Sequence, residues 1–219
     1  VHHSVPIIMN GVAAKGAASD LRGGGANYID IGTDTLMNPR TYLDGNITML
    51  GEAARNIFHV DAVGTGTDLS VVEQGNLTGM LQTKLIIGGQ ITGSGGFTKT
   101  GQRELRLTND NTFTGEMNIL RHATAALDWQ SNTVAVNGVN YQTYGEAEGW
   151  AEWGVTLAGA NAQLSGVSAI NLQRRGLLTL DNTNRLDATS NAVGGNNNNR
   201  IHDGATFNMN NGWLRIHGG

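Results

Sequence analysis

The apolar residues of this chain come in pairs with one residue between them, and each pair is cut short within a few positions by Gly or Asn. Glu104-Leu105-Arg106-Leu107-Thr108 shows the pattern. In an extended strand successive side chains point to opposite faces, so the two Leu share an inward face, and Glu104, Arg106 and Thr108 are expected on a solvent face. The same beat returns at Ile29 and Ile31, Ile47 and Met49, Val134 and Val136, Val155 and Leu157, Ile170 and Leu172, Leu178 and Leu180, Phe207 and Met209, and Leu214 and Ile216. Between the beats stand Gly23-Gly24-Gly25, Gly64-Thr65-Gly66, Gly93-Ser94-Gly95-Gly96, Asn109-Asp110-Asn111, Gly194-Gly195 and Asn196 to Asn199. Gly and Asn accept the positive φ that tight corners demand. A chain built this way makes many short strands and little helix.

Composition sets the outer bounds. The 219 residues include 32 Gly, only 2 Pro and 39% hydrophobic residues, far from the Leu, Lys, Glu and Ala mixture that fills helices. Zero Cys removes disulfides and thiolate metal sites, and suits passage through an oxidising space. A net charge of -4 with scattered Lys and Arg offers no basic stripe, so nucleic acid is not an expected partner. No run approaches the roughly 18 apolar residues of a membrane-spanning helix, so membrane insertion by this segment is not expected. The opening VHHSVPIIMNG has no signal-peptide pattern, which reads as a piece excised from a longer protein.

Internal similarity bears on how the strands are arranged. Phe97 to Asn109 and Ile170 to Asn182 each run from an apolar start through a basic, Gly-containing linker to Leu-x-Leu and Asn. Leu105 and Leu178 stand 73 positions apart, which is about three turns of a roughly 24-residue repeat. At that period 219 residues make about nine turns. The Asn-Gly and Asp-Gly pairs at 10-11, 44-45, 137-138, 203-204 and 211-212 are hairpin turn signals, so a β-sandwich or antiparallel β-roll is the alternative.

ITGSGGFTKTGQRELRLTNDNTFTGEMNI, residues 91-119, resembles the autotransporter-associated β-strand repeat. The match is carried by Gly93, Ser94, Gly95, Gly96, Thr98, Lys99, Thr100, Gly101, Leu105, Leu107, Asn111, Thr112, Thr114, Gly115 and Ile119, with Phe97 and Phe113 as conservative replacements. Arg103 and Glu116 stand where the repeat has further glycines. Residues 177-219 are similar to a related repeat of large bacterial surface proteins through Leu178, Leu180, Asp181, Asn182, Asn199, Arg200, Asp203, Ala205, Gly212, Leu214 and Gly218. The resemblance implies an all-β right-handed parallel β-helix, a single β-solenoid over residues 1-219 belonging to the passenger region of an exported protein. It implies no catalytic residue, because such a repeat is scaffold.

Parallel β-helices also serve polysaccharide hydrolases, lyases and tailspikes, and glycoside cleavage needs two carboxyl groups about 5 to 9.5 Å apart across one groove. Glu146, Glu148 and Glu152, beside Tyr141, Tyr144, Trp150 and Trp153, form the densest acidic and aromatic cluster in the sequence. The plain alternative is a looped-out corner whose Trp residues pack on the strands. Trp213, Arg215 and His217 alternate with Leu214 and Ile216 and are expected to share an outward face that holds a glycan or a neighbouring subunit, or is simply solvated. His2-His3 and His202-Asp203 lack the partners of a metal site. Gly23 to Asp34 has the wrong spacing for a calcium β-roll, and Gly64 to Asp68 lacks the glycines and helix of a dinucleotide site. Asn196 to Asn199 are either an amide ladder with Asn184 or Asn210 or a plain polar loop.

Two functions of different classes follow. The first is a non-catalytic structural or adhesive segment, a rigid rod or fibre at the bacterial cell surface with no cofactor. Its partners are neighbouring modules of the same parent chain, other copies, or surface glycans. The second is a carbohydrate-active enzyme or glycan-binding module with its groove at Glu146 to Glu152. A β-helix requires Leu105, Leu107, Leu178, Leu180, Phe207, Met209, Leu214 and Ile216 to be buried.

Overall fold

The computed structural model describes residues 2–11, 27–31, 40–60, 84–101, 104–120, 132–136, 139–143, 154–173, 175–183 and 195–218. Among them the chain is all-β, with one 3-10 turn at Ala53–Arg55 and no α-helix. Two long sheets are wholly parallel. The first has seven strands in the order His2–His3, Arg40–Leu43, Lys84–Ile87, Glu104–Leu107, Gly154–Ala158, Leu177–Asp181 and Trp213–His217. The second has six: Asn27–Ile31, Asn56–Val60, Phe97–Thr100, Glu116–Leu120, Ala169–Gln173 and Thr206–Asn210. A third, broken side consists of Ile7–Gly11, Ile47–Gly51 and Ile91–Thr92, then Asp110–Asn111 and Gln163–Leu164, with a bridge from Leu164 to Ile201.

Sequence order and sheet order agree. The chain visits the first sheet, the third side and the second sheet in turn, and each visit adds a strand beside the one laid down before. Parallel neighbours bring like residues together: Leu85, Leu105, Val155, Leu178 and Leu214 form one row, and Ile87, Leu107, Leu157, Leu180 and Ile216 another. On the second sheet Phe97, Met117, Ile170 and Phe207 align. These rows meet residues of the third side, including Ile47, Met49, Ile91 and Leu164, in one core. Leu85, Leu105, Leu107, Val155, Leu157, Ile170 and Leu172 have no exposed surface, and full burial of such side chains contributes about 1.5–3 kcal/mol each.

The period is irregular. Register partners are 20 residues apart from Leu85 to Leu105, 50 from Leu105 to Val155, and 23 from Val155 to Leu178. The 73 residues between Leu105 and Leu178 therefore make two steps rather than three, and among the described residues the longest sheet has seven strands. One reason is visible in the 50-residue step. It contains the antiparallel pair Asn132–Val136 and Val139–Thr143, with Val136 opposite Val139 across Asn137-Gly138. That Asn-Gly is a hairpin signal as expected. Asp44-Gly45 and Asn211-Gly212, by contrast, lie at corners between strands of different sheets.

Two expectations about faces are corrected. Glu104 and Arg106 are not solvent-facing: they are 0% and 4% exposed, with Arg106 Nε 3.0 Å from Glu104 Oε1. Thr156 and Thr179, in the same outer row as Arg106, are buried as well. The first sheet is therefore covered on both faces there, and alternation no longer separates core from solvent. Met209, Leu214 and Ile216 are not buried but 55%, 39% and 64% exposed, and Leu180 and Phe207 are half-buried. These residues hold the inward positions expected of them, but on or beside the last strand of each sheet, where no further described strand roofs them.

The glycines of residues 93-115 mark close backbone approaches. A Cβ on Gly96 would collide with the carbonyl oxygen of Glu116 in the next strand of the second sheet. Gly101 has φ +87, and a Cβ there would meet the carbonyl oxygen of Val60. Gly96→Ala is expected to destabilise the chain by roughly 2–4 kcal/mol in chemical denaturation. Arg106→Ala, which strips an ion-pair partner from a buried carboxylate, is expected to cost about 3 kcal/mol, against under about 0.5 kcal/mol for exposed Thr112→Ala.

Candidate functional site

The acidic and aromatic cluster Tyr144, Glu146, Glu148, Trp150, Glu152 and Trp153 lies outside the described residues. Tyr141 falls on strand Val139–Thr143. Trp213, Arg215 and His217 lie together on one face of the last strand of the first sheet, opposite Leu177, Thr179 and Asp181. All three are half-buried, while Leu214 and Ile216 between them are exposed. The alternation is as expected and the exposure is reversed, because the outer face is covered and the end of the core is bare. Among the described residues no group of three His, Asp or Glu is placed to hold a metal ion. His2 instead bonds Asp44 through Nδ1 at 2.8 Å and stacks on Tyr42 with ring centroids 4.1 Å apart.

The polar chemistry gathers inside the fold. Lys99 sits in an inward row of the second sheet between Phe58 and Ile119 and has no exposed surface. Its Nζ donates to the carbonyls of Thr100 at 2.6 Å and Gly101 at 3.1 Å. The alkyl stem fills core volume and the ammonium ties down the corner where the chain leaves the strand. Asn56, 0% exposed, donates from Nδ2 to Leu50 O at 2.8 Å and Gly96 O at 3.0 Å, joining two successive circuits. Asn111 accepts from Ile91 N at 3.0 Å and donates to Asn109 O and Gln163 O, at 2.7 and 3.2 Å. It thereby replaces a missing backbone rung on the broken third side. A buried backbone group left without a partner costs about as much as a lost hydrogen bond, and these amides remove that cost.

Arg200 is the most heavily bonded of these groups. It is 3% exposed. Nε donates to Asn182 Oδ1 at 2.6 Å, Nη1 to Gly159 O and Ala162 O at 3.0 and 2.8 Å, and Nη2 to Asp181 O and Gly195 O at 2.7 and 2.5 Å. One planar fork thus gathers three corners of the chain, a geometry that Lys cannot copy. Burial lowers the guanidinium below the ordinary arginine pKa, and the charge of Asp181 opposes that shift. Asp181 Oδ1 in turn accepts from Thr183 N and Oγ1 at 3.1 and 2.6 Å.

Along the outer face of the second sheet runs an amide ladder. Asn208 Nδ2 donates to Asn171 Oδ1 at 2.8 Å, Asn171 Nδ2 to Asn118 Oδ1 at 2.8 Å, Asn118 Nδ2 to Thr98 Oγ1 at 3.3 Å, and Thr98 Oγ1 to Ala53 O at 2.9 Å. For Asn196 to Asn199 the sequence left a ladder or a plain polar loop open, and the ladder partner Asn184 lies outside the described residues. Asn197 bonds Ala160 O and Ala162 O, and Asn199 N bonds Asn197 Oδ1 within the loop. The true ladder had a signal in the sequence that periodicity alone does not isolate: apolar-Asn-apolar occurs at Met117 to Ile119, Ile170 to Leu172 and Phe207 to Met209.

Arg200→Ala, which removes five hydrogen bonds made by one buried guanidinium, is expected to destabilise the chain by about 3–5 kcal/mol in denaturant titration. Arg200→Lys should recover less than half of that. Asn171→Ala, which breaks the ladder at its centre, should cost about 1–2 kcal/mol.

Set against known families and structures, the chain matches no family model, no curated protein and no solved structure.

Proposed function

We propose that the chain is a right-handed parallel β-solenoid whose role is structural: a rigid, non-catalytic segment of an exported bacterial surface protein, standing in a rod or fibre outside the cell. The observation that carries this reading is the use to which the repeat-like residues are put. Gly96 and Gly101 make corners, Lys99 ties down the corner after its own strand, Asn56 and Asn111 tie successive circuits, and Asp181, Asn182 and Arg200 form one clamp. Chemistry that an enzyme would aim into a groove is here directed at backbone carbonyls within the core.

Cyclic passage through parallel sheets supports the solenoid, and the strong preference of parallel crossovers for one hand supports its right-handedness. Likeness to the autotransporter-associated repeat and the lack of Cys support export and a surface location. With strands about 4.8 Å apart, the seven strands of the first sheet span about 29 Å, a stiff spacer for modules on either side. Trp213, Arg215 and His217 fit a contact with a neighbouring module or a surface glycan better than a catalytic role, since none of them stands beside a described carboxylate pair.

Three measurements test the proposal. Small-angle scattering should give an elongated particle, far-UV circular dichroism should show strand with little helix, and assays against bacterial and plant polysaccharides should show no turnover. A compact sphere rich in helix would overturn the fold. Polysaccharide degradation that is lost in Glu148→Gln or Glu152→Gln would replace the scaffold with the enzyme.

A further inference from the structure

Two Asn-x-Ser/Thr triplets occur in the sequence, Asn46-Ile47-Thr48 and Asn76-Leu77-Thr78, the pattern at which an asparagine nitrogen of an exported chain accepts a sugar. The second lies outside the described residues. The first stands at the corner where the chain leaves Arg40–Leu43 of the first sheet and enters Ile47–Gly51 on the third side. Asn46 is exposed, Ile47 is buried and Thr48 is half-buried. The alternation of extended chain thus turns Ile47 into the core and sets Asn46 and Thr48 on the outer side together. Circuits on both sides hold this corner: Ile7 N donates to Asn46 O at 3.0 Å, and Ile47 N donates to Gln90 O at 2.9 Å.

What separates Asn46 from the asparagines that tie the circuits together is which end of its amide is in use. Asn56, Asn111, Asn118, Asn171, Asn197 and Asn208 each donate from Nδ2 to an oxygen of the chain. Asn46 accepts instead: its Oδ1 takes the backbone N–H of Gln90 at 3.0 Å. Only the oxygen end of a carboxamide answers an N–H, so this bond fixes which end faces the neighbouring circuit. Among the described residues the Asn46 amide makes no further bond, and its nitrogen is left to solvent. Sugar attachment alters Nδ2 alone. Oδ1 stays a carbonyl oxygen, the bond from Gln90 persists, and no backbone group changes partner. In the next circuit Ile91 and Thr92 pair with Ile47 and Thr48, but the residue before them is Gln90. Its carboxamide is one methylene longer and falls outside the pattern.

Resting on the reading of the chain as an exported surface segment, we infer that Asn46 is a glycan attachment site, with Thr48 as the hydroxyl that the transferase reads beside it. The donor is a sugar whose anomeric carbon carries a diphosphate leaving group, on a nucleotide or on a lipid. A bond forms from Asn46 Nδ2 to the anomeric carbon, and the bond from that carbon to the diphosphate oxygen breaks. The diphosphate leaves with the bonding electron pair, and Nδ2 gives up one of its two protons. Ile47 and Met49, the inward residues of this strand, have no exposed surface, so a sugar on Asn46 adds a hydrated group to the side of the stack without entering its core.

The test is mass mapping of the protein purified from the cells that make it, beside variants expressed in the same cells. Trypsin cuts after Arg40 and Arg55, and Asn46 is the only asparagine in residues 41–55. That peptide is expected to be heavier by a glycan. Asn46→Asp keeps the Oδ1 acceptor and removes the nitrogen; Thr48→Val keeps the shape and removes the hydroxyl. Each should lose the added mass completely, Thr48→Ser should retain it, and all three should keep the parent's circular dichroism. Hexoses added singly identify a nucleotide-linked donor, and a preassembled oligosaccharide a lipid-linked one; either result upholds the site. An exported chain whose peptide 41–55 is bare, or that carries sugar at Asn76 alone, overturns the inference. So does added mass that persists in Asn46→Asp, since the sugar is then on a hydroxyl of Thr41 or Thr48. A chain that fractionates with the cytoplasm would instead overturn the surface reading on which the inference rests.

Discussion

Each inward residue rests on the inward residue of the strand before it, at a separation of about 4.8 Å set by the backbone hydrogen bonds between parallel strands. That spacing is the constraint on which the rest of the structure depends. It forces like onto like: Leu85, Leu105, Val155 and Leu178 form one continuous apolar column, and Thr98, Asn118, Asn171 and Asn208 a polar one. A slip of one residue in the second sheet would exchange the polar column with that of Phe97, Met117, Ile170 and Phe207 and bury the amides. Register is therefore held twice, by burial on the inner face and by side-chain hydrogen bonds on the outer.

The constraint applies to strands and not to the segments between them. Steps of 20, 23 and 50 residues all return the chain to the same rows, since lengthening a loop costs little closure entropy. Corners are less free. Where backbones of successive circuits touch, Gly96 and Gly101 leave no room for a Cβ, and where a rung is short, Asn56 or Asn111 supplies from its side chain the hydrogen bonds that the backbone cannot make. Arg200 does the same for several carbonyls at once. These polar groups are buried because they are satisfied, and each carries more than one bond for that reason.

A stack of this kind has no intrinsic length, since each circuit contacts chiefly its neighbours. The ladder of asparagines gives the stack a direction, because an amide that donates to one side presents oxygen to the other.

The alternation of apolar residues determined the strands, the inward assignment of Leu105, Leu107 and Leu178, and the use of Gly and Asn at corners, all local consequences of a two-residue period and of tolerance for positive φ. It also marked, in three apolar-Asn-apolar triplets, the members of the ladder, although nothing local said that they would stack. Tertiary structure alone decided the number of strands, because loop length is free and a mean period cannot count circuits. It decided that Glu104 and Arg106 are buried, because covering the outer face of a sheet is a long-range event. It decided that Leu214 and Ile216 are exposed, because a side chain facing inward is buried only when a further strand lies over it. And it made Arg200 a clamp rather than a surface charge, because the carbonyls it gathers, from residue 159 to residue 195, come together only after the chain has turned.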